Sequence, residues 1–479
     1  MQFSSSQSFT SASDQAAQPS AFASLTIIIL AAGKGSRMHS DKPKVLHELA
    51  GQPFLTHVLN TARQLQPQQL VVVHGHGSEQ LQATYAEAHD IIWAHQAEQL
   101  GTGHAVKIGL QAAHQQTTDQ VLVLYGDVPL IQPQTLQKLL AELQQHECAV
   151  LTAYLDNASG YGRILRDQDQ QLTGIVEQKD ANAEQLTINE INSGIIATRY
   201  IDLQQHVAAL NNNNAQQEYY LTDVIGLIQQ ANGSIGSTQP THEAEILGIN
   251  SRVQQAQLER LYQTTTAQHL LSQGVTLFDP ARIDIRGHLQ GGKDVTIDIN
   301  CVFVGDNILG SGSQIGANCH LTNVTIDENV IILPNSVLED CHVKAAATIG
   351  PFARIRPGTI LGKNTKVGNF VEVKKVKLGD DSKINHLSYV GDAVIGKQVN
   401  IGAGTITCNY DGANKHVTEI GDHAFIGSDT QLVAPVTIGA GATIGAGSTI
   451  RKDAPAEQLT LTSKQTKSYA HWQRPAKKQ

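Results

Sequence analysis

Residues 30–38, LAAGKGSRM, combine small side chains with cations in the way phosphate binding requires. Where bulky side chains are missing, backbone N–H groups can approach phosphate oxygens, and Lys34, Arg37 and nearby Lys44 add positive charge. Met38 stands where a dinucleotide fingerprint needs its third glycine, and no Gly-Lys-Ser/Thr follows, so both common nucleotide motifs are absent. A second candidate is Asp127, at the end of the apolar run 121–124, where a sheet presents its rim to a ligand. A third is His386, the only histidine between His342 and His416, since imidazole suits proton transfer near neutral pH. His74 and His76 lack nearby carboxylates and read as loop histidines rather than metal ligands.

These groups need two kinds of support. Apolar runs at 25–30, 70–73, 121–124 and 149–151 alternate with helical segments such as 54–66 and 135–145, which implies an α/β sheet. Residues 251–273 contain no Gly or Pro and stop at Gly274, as a joining helix capped by Ser251 would. Beyond it the rhythm changes to six. Ile297, Phe303, Leu309, Ile315 and Leu321 keep this spacing, as do Ile349, Ile355, Leu361, Val367 and Val373, and Ile420, Ile426, Leu432, Ile438, Ile444 and Ile450. This is the hexapeptide repeat of a parallel β-helix, spanning roughly residues 295–450. Gly421, Gly427, Gly439 and Gly445 follow four of the aliphatics, as expected of corners where a side chain would hinder the backbone. The beat fails where thirteen positions separate Thr407 from Ile420. Extra residues in a solenoid form a loop, often on the binding face, and this one carries Asn409, Tyr410, Asp411, Asn414 and Lys415.

A chain of 479 residues is long enough for two or three domains with separate cores. Its net charge of -9 gives no overall basic character for nucleic acid, although small basic clusters can still hold phosphates. Five cysteines without a CxxC pair argue against a disulfide scaffold or structural zinc and favour a reducing cytoplasm. Residues 1–24, rich in Ser, Gln and Ala, read as a disordered tail rather than a signal peptide. The apolar run 25–32 is too short to cross a bilayer, so a soluble cytoplasmic protein without membrane insertion is expected.

Residues 30–38 followed by Lys42-Pro43-Lys44 resemble the signature of sugar-nucleotide pyrophosphorylases. The likeness continues through QAEQLGTG at 96–103, YGDVP at 125–129, GYGR at 160–163, EQKD at 177–180, NEIN at 189–192 and EYYLTD at 218–223. With the hexapeptide half, residues 25–479 resemble the family of bifunctional N-acetylglucosamine-1-phosphate uridylyltransferases and glucosamine-1-phosphate acetyltransferases. The resemblance implies a Rossmann-like mixed-sheet nucleotidyltransferase domain at 25–250, a helical linker at 251–274 and a left-handed parallel β-helix at 275–479 with a C-terminal tail. It also implies a homotrimer making a cell-envelope precursor from UTP, acetyl-CoA and glucosamine 1-phosphate.

Site residues follow from the same resemblance. Attack of one phosphate on another brings anions together, and a hard divalent cation is the usual remedy. Mg²⁺ is placed on Asp127 and Asn250, and Lys44 on phosphate. Gln96, Gly101 and Thr102 are placed at the uracil end, and Gly162, Glu177 and Asn192 on the sugar. Leu30, Ala31, Ala32, Gly33, Tyr125 and Gly126 complete the nucleotide-sugar site. In the other half His386 is the base, and Arg356, Lys374, Tyr389, Asn400 and Lys415 hold the amino-sugar phosphate. Acetyl-CoA is placed on Ala403, Asn409, Tyr410, Ser428, Ala446 and Ser463. The family pattern has an arginine just after the last coils, and here Ser463 and Lys464 stand instead; Lys464 would offer a point charge rather than a bidentate fork. A rival reading, a pyrophosphorylase for another nucleotide-sugar with the β-helix only a trimer scaffold, is disfavoured by QLGTG, NHLSY and the interrupted beat.

Overall fold

The computed structural model describes residues 24–113, 119–463 and 466–475. The expectations for residues 1–23 and for Lys464 lie outside these residues. Ser24, grouped above with the tail, is tied to Asp119: its hydroxyl donates to Oδ2 at 2.7 Å, and its carbonyl accepts the Asp119 N–H. The chain divides into two compact units, Met1–Leu261 and Tyr262–Gln479, and the division falls within the helix Arg252–Ser272. Ser251 caps that helix, its hydroxyl accepting the Gln254 N–H at 3.3 Å. Among the described residues no helix is long and apolar enough to cross a membrane.

The first unit is built on Leu25–Ala31, a strand of mostly β-branched and aliphatic residues that is buried at every position. Burial on both faces requires a covering layer on each side of the sheet. Ile27 and Ile29 pack with Leu55, Val58 and Leu59 of the helix Phe54–Gln64, while Ile28 and Leu30 pack with Val106 and Leu110 of Thr102–Ala112. Each such aliphatic contributes about 1.5–3 kcal/mol. Gln69–His74 and Gln120–Tyr125 pair in parallel on either side of Leu25–Ala31. Ile91–His95 extends one edge in parallel, while Glu190–Arg199 pairs antiparallel with Gln120–Tyr125 and with Cys148–Tyr154. The sheet is therefore mixed. The chain leaves Leu25–Ala31 toward one edge and later returns to pair on its other side, which opens a crevice at the carboxyl ends of these strands. His74 is a correction to the loop reading. It ends a strand, is buried, and bonds Ser78 Oγ through Nδ1 at 2.8 Å.

The second unit holds two long parallel ladders, one running from Thr276 to Thr460 and the other from Ile283 to Ile450. Ile297, Ile315, Ile332, Ile349, Val367, Ile384, Ile401, Ile426 and Ile444 stack in register along one of them. One coil holds three hexapeptides or one residue fewer, and the shorter coils explain why the six-residue beat is readable only in separate runs. Phe303 and Leu309 are six apart, but Leu321 and Ile326 on the next coil are five apart, and the register shifts between Val304 and Ile308. Buried Asn307 fills this mismatch by donating to Val304 O at 2.9 Å and accepting the Val324 N–H at 3.2 Å. A single long coil carries Asn400 to its neighbour Phe425, and the segment 409–419 lies in it.

Three of the four glycines of the beat serve a different purpose from the one expected. A Cβ on Gly421, Gly427 or Gly439 would lie 2.6, 2.6 or 2.4 Å from a backbone nitrogen of the following coil, so close stacking excludes a side chain. Many of the left-handed positions fall to asparagine or aspartate, such as Asn300, Asn318, Asn335 and Asp381, whose short polar side chains tolerate that region. Asn300 donates to Asn318 at 3.1 Å, which ties successive corners together. All five cysteines are unpaired, and burial pushes the thiols of Cys148, Cys301 and Cys341 up to about 12.

Candidate active sites

The crevice of the first unit is a cavity of about 540 Å³. Leu30, Ala31, Ala32, Gly33, Lys44, Gln96, Gly101, Thr102, Tyr125, Asp127 and Asn250 all line it; Gly126, Gly162, Glu177 and Asn192 do not. Arg37 lines it as well, so two of the three cations flagged beside the glycine loop face this space. Lys44 opens a short 3-10 turn after Pro43. Gly35, at φ +61°, packs so closely on the Lys44 stem that a Cβ there would fall 2.7 Å from Lys44 Cβ. The Lys44 ammonium then bonds both Asp127 Oδ2 and Asn250 Oδ1, the latter at 3.0 Å.

Two oxygens from distant segments thus converge on one cationic group. A carboxylate and an amide oxygen are hard donors of the kind a divalent cation takes, and the residues fit such an ion when phosphates and water complete its shell. Among the described residues no cluster of three or more His, Cys, Asp or Glu could hold a metal without such help.

The rest of the pocket is held by its neighbours. Gln96 is buried; its side chain donates to Gly101 O at 3.3 Å and lies 3.0 Å from His104 Nδ1, a partner the sequence reading missed. Burial, reinforced by Glu177 and Asp127, raises the Tyr125 phenol far above its usual range. Burial likewise raises the Glu177 carboxyl, against a 3.1 Å bond from Thr222. Gly162 lies against Glu177, since a Cβ there would sit 3.5 Å from both carboxylate oxygens. Asn192 accepts the Gly194 N–H at 2.9 Å.

In the second unit the stacked aliphatics fix where His386 lies. Two positions beyond Val367, Ile384, Ile401, Ile426 and Ile444, the residues Asn369, His386, Ala403, Ser428 and Ala446 occupy one corner of successive coils. Asn369 Oδ1 accepts from His386 Nδ1 at 2.9 Å. An amide oxygen can only accept, so Nδ1 carries the proton and Nε2 is left as the basic nitrogen. Sequence reasoning missed Asn369. The available signal was its offset of one 17-residue coil from His386.

Arg356, Lys374 and Gly391 form a neighbouring file. A Cβ on Gly391 would meet Tyr389 Oη at 2.4 Å, so the missing side chain leaves room for that phenol. Arg356 is engaged by Glu372 at 2.8 Å. Lys374 has its pKa lowered chiefly by Lys415, then by desolvation and by Arg356, with Asp392 opposing. The inserted segment forms a small hairpin in which Tyr410 bridges Lys415. Asp411 accepts the N–H groups of Asn414 and Ala413 at 2.7 and 2.8 Å and bonds His416 at 2.7 Å, which holds its carboxyl far below the usual range. Asn409 donates to Asp392, a second residue the sequence reading missed. Asn400 precedes Ile401 on the coil that carries Ala403. Exposed Ser463 lies past the final rung, Leu459–Thr460. Among the described residues no hydrogen bond joins the His386 side chain to Arg356, Lys374 or Lys415.

A model of the MobA-like NTP transferase domain matches residues 27–275. The bacterial transferase hexapeptide matches residues 418–452, and the GMPPB C-terminal domain residues 337–411. A protein of Chromobacterium violaceum named Bifunctional protein GlmU is 53% identical over 461 residues, covering 95% of this chain and 99% of that one. Proteins of the same name from Ralstonia nicotianae and Legionella pneumophila (strain Lens) are each 53% identical over 454 and 461 residues, with the same 95% and 99% coverage.

Proposed function

The chain belongs to the family of bifunctional GlmU proteins, and from that premise we propose that its two units run consecutive reactions. Residues 275–479 acetylate glucosamine 1-phosphate from acetyl-CoA. Residues 25–250 then couple N-acetylglucosamine 1-phosphate to UTP, giving UDP-N-acetylglucosamine and pyrophosphate for cell-envelope polymers.

For acetyl transfer, His386 Nε2 takes a proton from the amino-sugar ammonium. The freed amine attacks the thioester carbonyl, the C–S bond breaks as the amide C–N bond forms, and the second proton lost by the nitrogen leaves on the coenzyme as its thiol. Arg356, Lys374 and Lys415 hold the sugar phosphate, with Tyr389 and Asn400 on the sugar. The pantetheine arm runs along Ala403, Ser428 and Ala446, whose small side chains keep that corner open. Asn409 and Tyr410 flank it, and Ser463 stands nearest the tail.

For uridylyl transfer, a phosphate oxygen of the sugar attacks the α-phosphorus of UTP and pyrophosphate leaves in line. No covalent nucleophile is needed, because orientation and charge neutralisation suffice. Gln96, Gly101 and Thr102 orient the uracil, Lys44 and the glycine loop hold phosphate, and Gly162, Glu177 and Asn192 orient the sugar. Bound at Asp127 and Asn250, Mg²⁺ supplies neutralisation between the two anionic substrates.

One observation supports two activities over a catalytic half joined to a scaffold: each unit has its own constellation, and neither duplicates the other's parts. The trimer is supported by the exposed file Phe352, Phe370 and Leu387 beside the His386 corner, in which the two rings stack at 5.3 Å. The direct test is an assay of purified protein with glucosamine 1-phosphate, acetyl-CoA, UTP and Mg²⁺, omitting each in turn. Acetylation should need no UTP, and UDP-sugar should form from N-acetylglucosamine 1-phosphate without acetyl-CoA. Absence of acetylation would restore the scaffold reading, and a monomer by light scattering would remove the trimer.

A further inference from the structure

We infer that Lys44 guards the divalent-cation seat of the first unit, occupying it until a nucleotide phosphate draws the ammonium away. The inference rests on the assignment of that seat to Asp127 and Asn250. Two placements carry it. The Lys44 ammonium bonds Asp127 Oδ2 and Asn250 Oδ1, the two oxygens a cation would use, and both charged side chains of this ion pair are almost enclosed, at 13% and 12% exposure. The Lys44 stem lies against Gly35 of the glycine loop, where an added Cβ would fall 2.7, 3.3 and 3.4 Å from the lysine Cβ, Cγ and Cδ, so the stem is backed by that loop and the ammonium lies at its far end.

A divalent cation and an ammonium cannot share two oxygens inside so little solvent, because like charges at contact repel strongly there. Ion entry therefore requires the ammonium to leave. Its natural destination is a phosphate on the glycine loop, since Gly35 of that loop lies against its stem. A protein without nucleotide then holds its own internal cation and has little affinity for a free metal ion. A protein with nucleotide presents an emptied seat beside the phosphates that complete the metal's shell. Lys44 is in this sense a positioning residue, which couples metal capture to nucleotide capture.

The test measures free Mn²⁺ by electron paramagnetic resonance during titration of the nucleotide-free protein. The native chain is compared with Lys44→Met, Asp127→Asn and the double variant, the fold of each being checked by circular dichroism. Lys44→Met, which keeps length and removes charge, should bind Mn²⁺ at least about tenfold tighter than the native chain, and the double variant should lose that gain. If Lys44→Met is folded and binds no tighter while Asp127→Asn weakens binding, the seat stands and its guarding is refuted. If a gain persists in the double variant, or if no variant shows binding that depends on Asp127, the assignment of the seat itself fails.

Discussion

The two candidate sites are assembled in opposite ways. In the α/β unit, Lys44, Asp127 and Asn250 come from three distant stretches of chain and meet in one enclosed crevice. In the β-helix, Asn369, His386, Ala403, Ser428 and Ala446 are dealt out one per coil along a single corner. A crevice closed by many loops can hold a small triphosphate from all sides and bring charges to one point. A file of small residues along a corner can lie against a long, thin coenzyme arm, but it encloses nothing unaided. The architecture therefore matches each unit to the shape of its substrate as much as to its chemistry.

The strongest way to break this comparison is to disable one site and read both. Asp127→Ala should lower uridylyl transfer by about 10³-fold, the scale of losing a principal electrostatic group, while acetylation stays within twofold or so. His386→Ala should do the reverse, with a loss of about 10²–10⁴-fold in acetylation. Initial rates of the two half-reactions on each purified variant decide it. Parallel losses in both activities would mean that the two units are not independent, and the contrast would collapse.

What the sequence disclosed follows the same divide. The β-helix was legible because its core repeats: Ile420 to Ile450 could be counted without any coordinates. Its 17-residue coils hid the continuity, because removing one residue moves the next aliphatic off the beat even though it still stacks, as Ile326 does on Leu309. The glycines were found but misread, since close approach to Ala440 or Ala446 depends on a neighbouring coil that local sequence does not display. Asn369 and Asp392 stayed invisible for a related reason: a lone amide or carboxylate in a turn-rich repeat reads as a turn residue. In the other unit the glycine loop and Asp127 were legible from local context. That Gly35 fixes the Lys44 stem, or that Gln96 bonds His104, depends on packing that spacing alone does not encode.

Smaller effects sharpen the account of the corner file. Asn369→Ala removes the acceptor that fixes the His386 ring and its tautomer, so acetylation should fall about tenfold with uridylyl transfer unchanged. A fall no larger than that of an exposed corner control such as Asn318→Ala would make Asn369 a stacking residue only. For stability, Gly427→Ala places a Cβ 2.6 Å from Ala446 N, whereas Gly447→Ala meets nothing within 4 Å but sits at φ +71°. The first should cost about 1–3 kcal/mol as overpacking and the second about 1 kcal/mol as backbone strain. Urea unfolding of the two variants checks the order, and equal costs would mean that coil-to-coil contact is no tighter than the conformational requirement.

The mildest prediction concerns pH and separates the cationic file from the imidazole corner. Lys374 has its pKa lowered first by Lys415, then by desolvation and by Arg356, with Asp392 opposing. A lysine is charged below its pKa, so a lowered pKa means the cation is lost at a lower pH than for an isolated lysine. Capture of the sugar phosphate should then weaken as pH rises through that point, appearing as an alkaline limb in kcat/KM for acetylation, which reports groups of the free enzyme. Lys374→Met should remove the limb, whereas Lys415→Met should move it to higher pH by relieving the repulsion, even though it costs affinity near neutrality. The limb belongs to the cationic file, so Asn369→Ala should leave it in place while lowering the plateau. A limb that ignores both lysines would detach the file from phosphate binding and leave the corner to act without it.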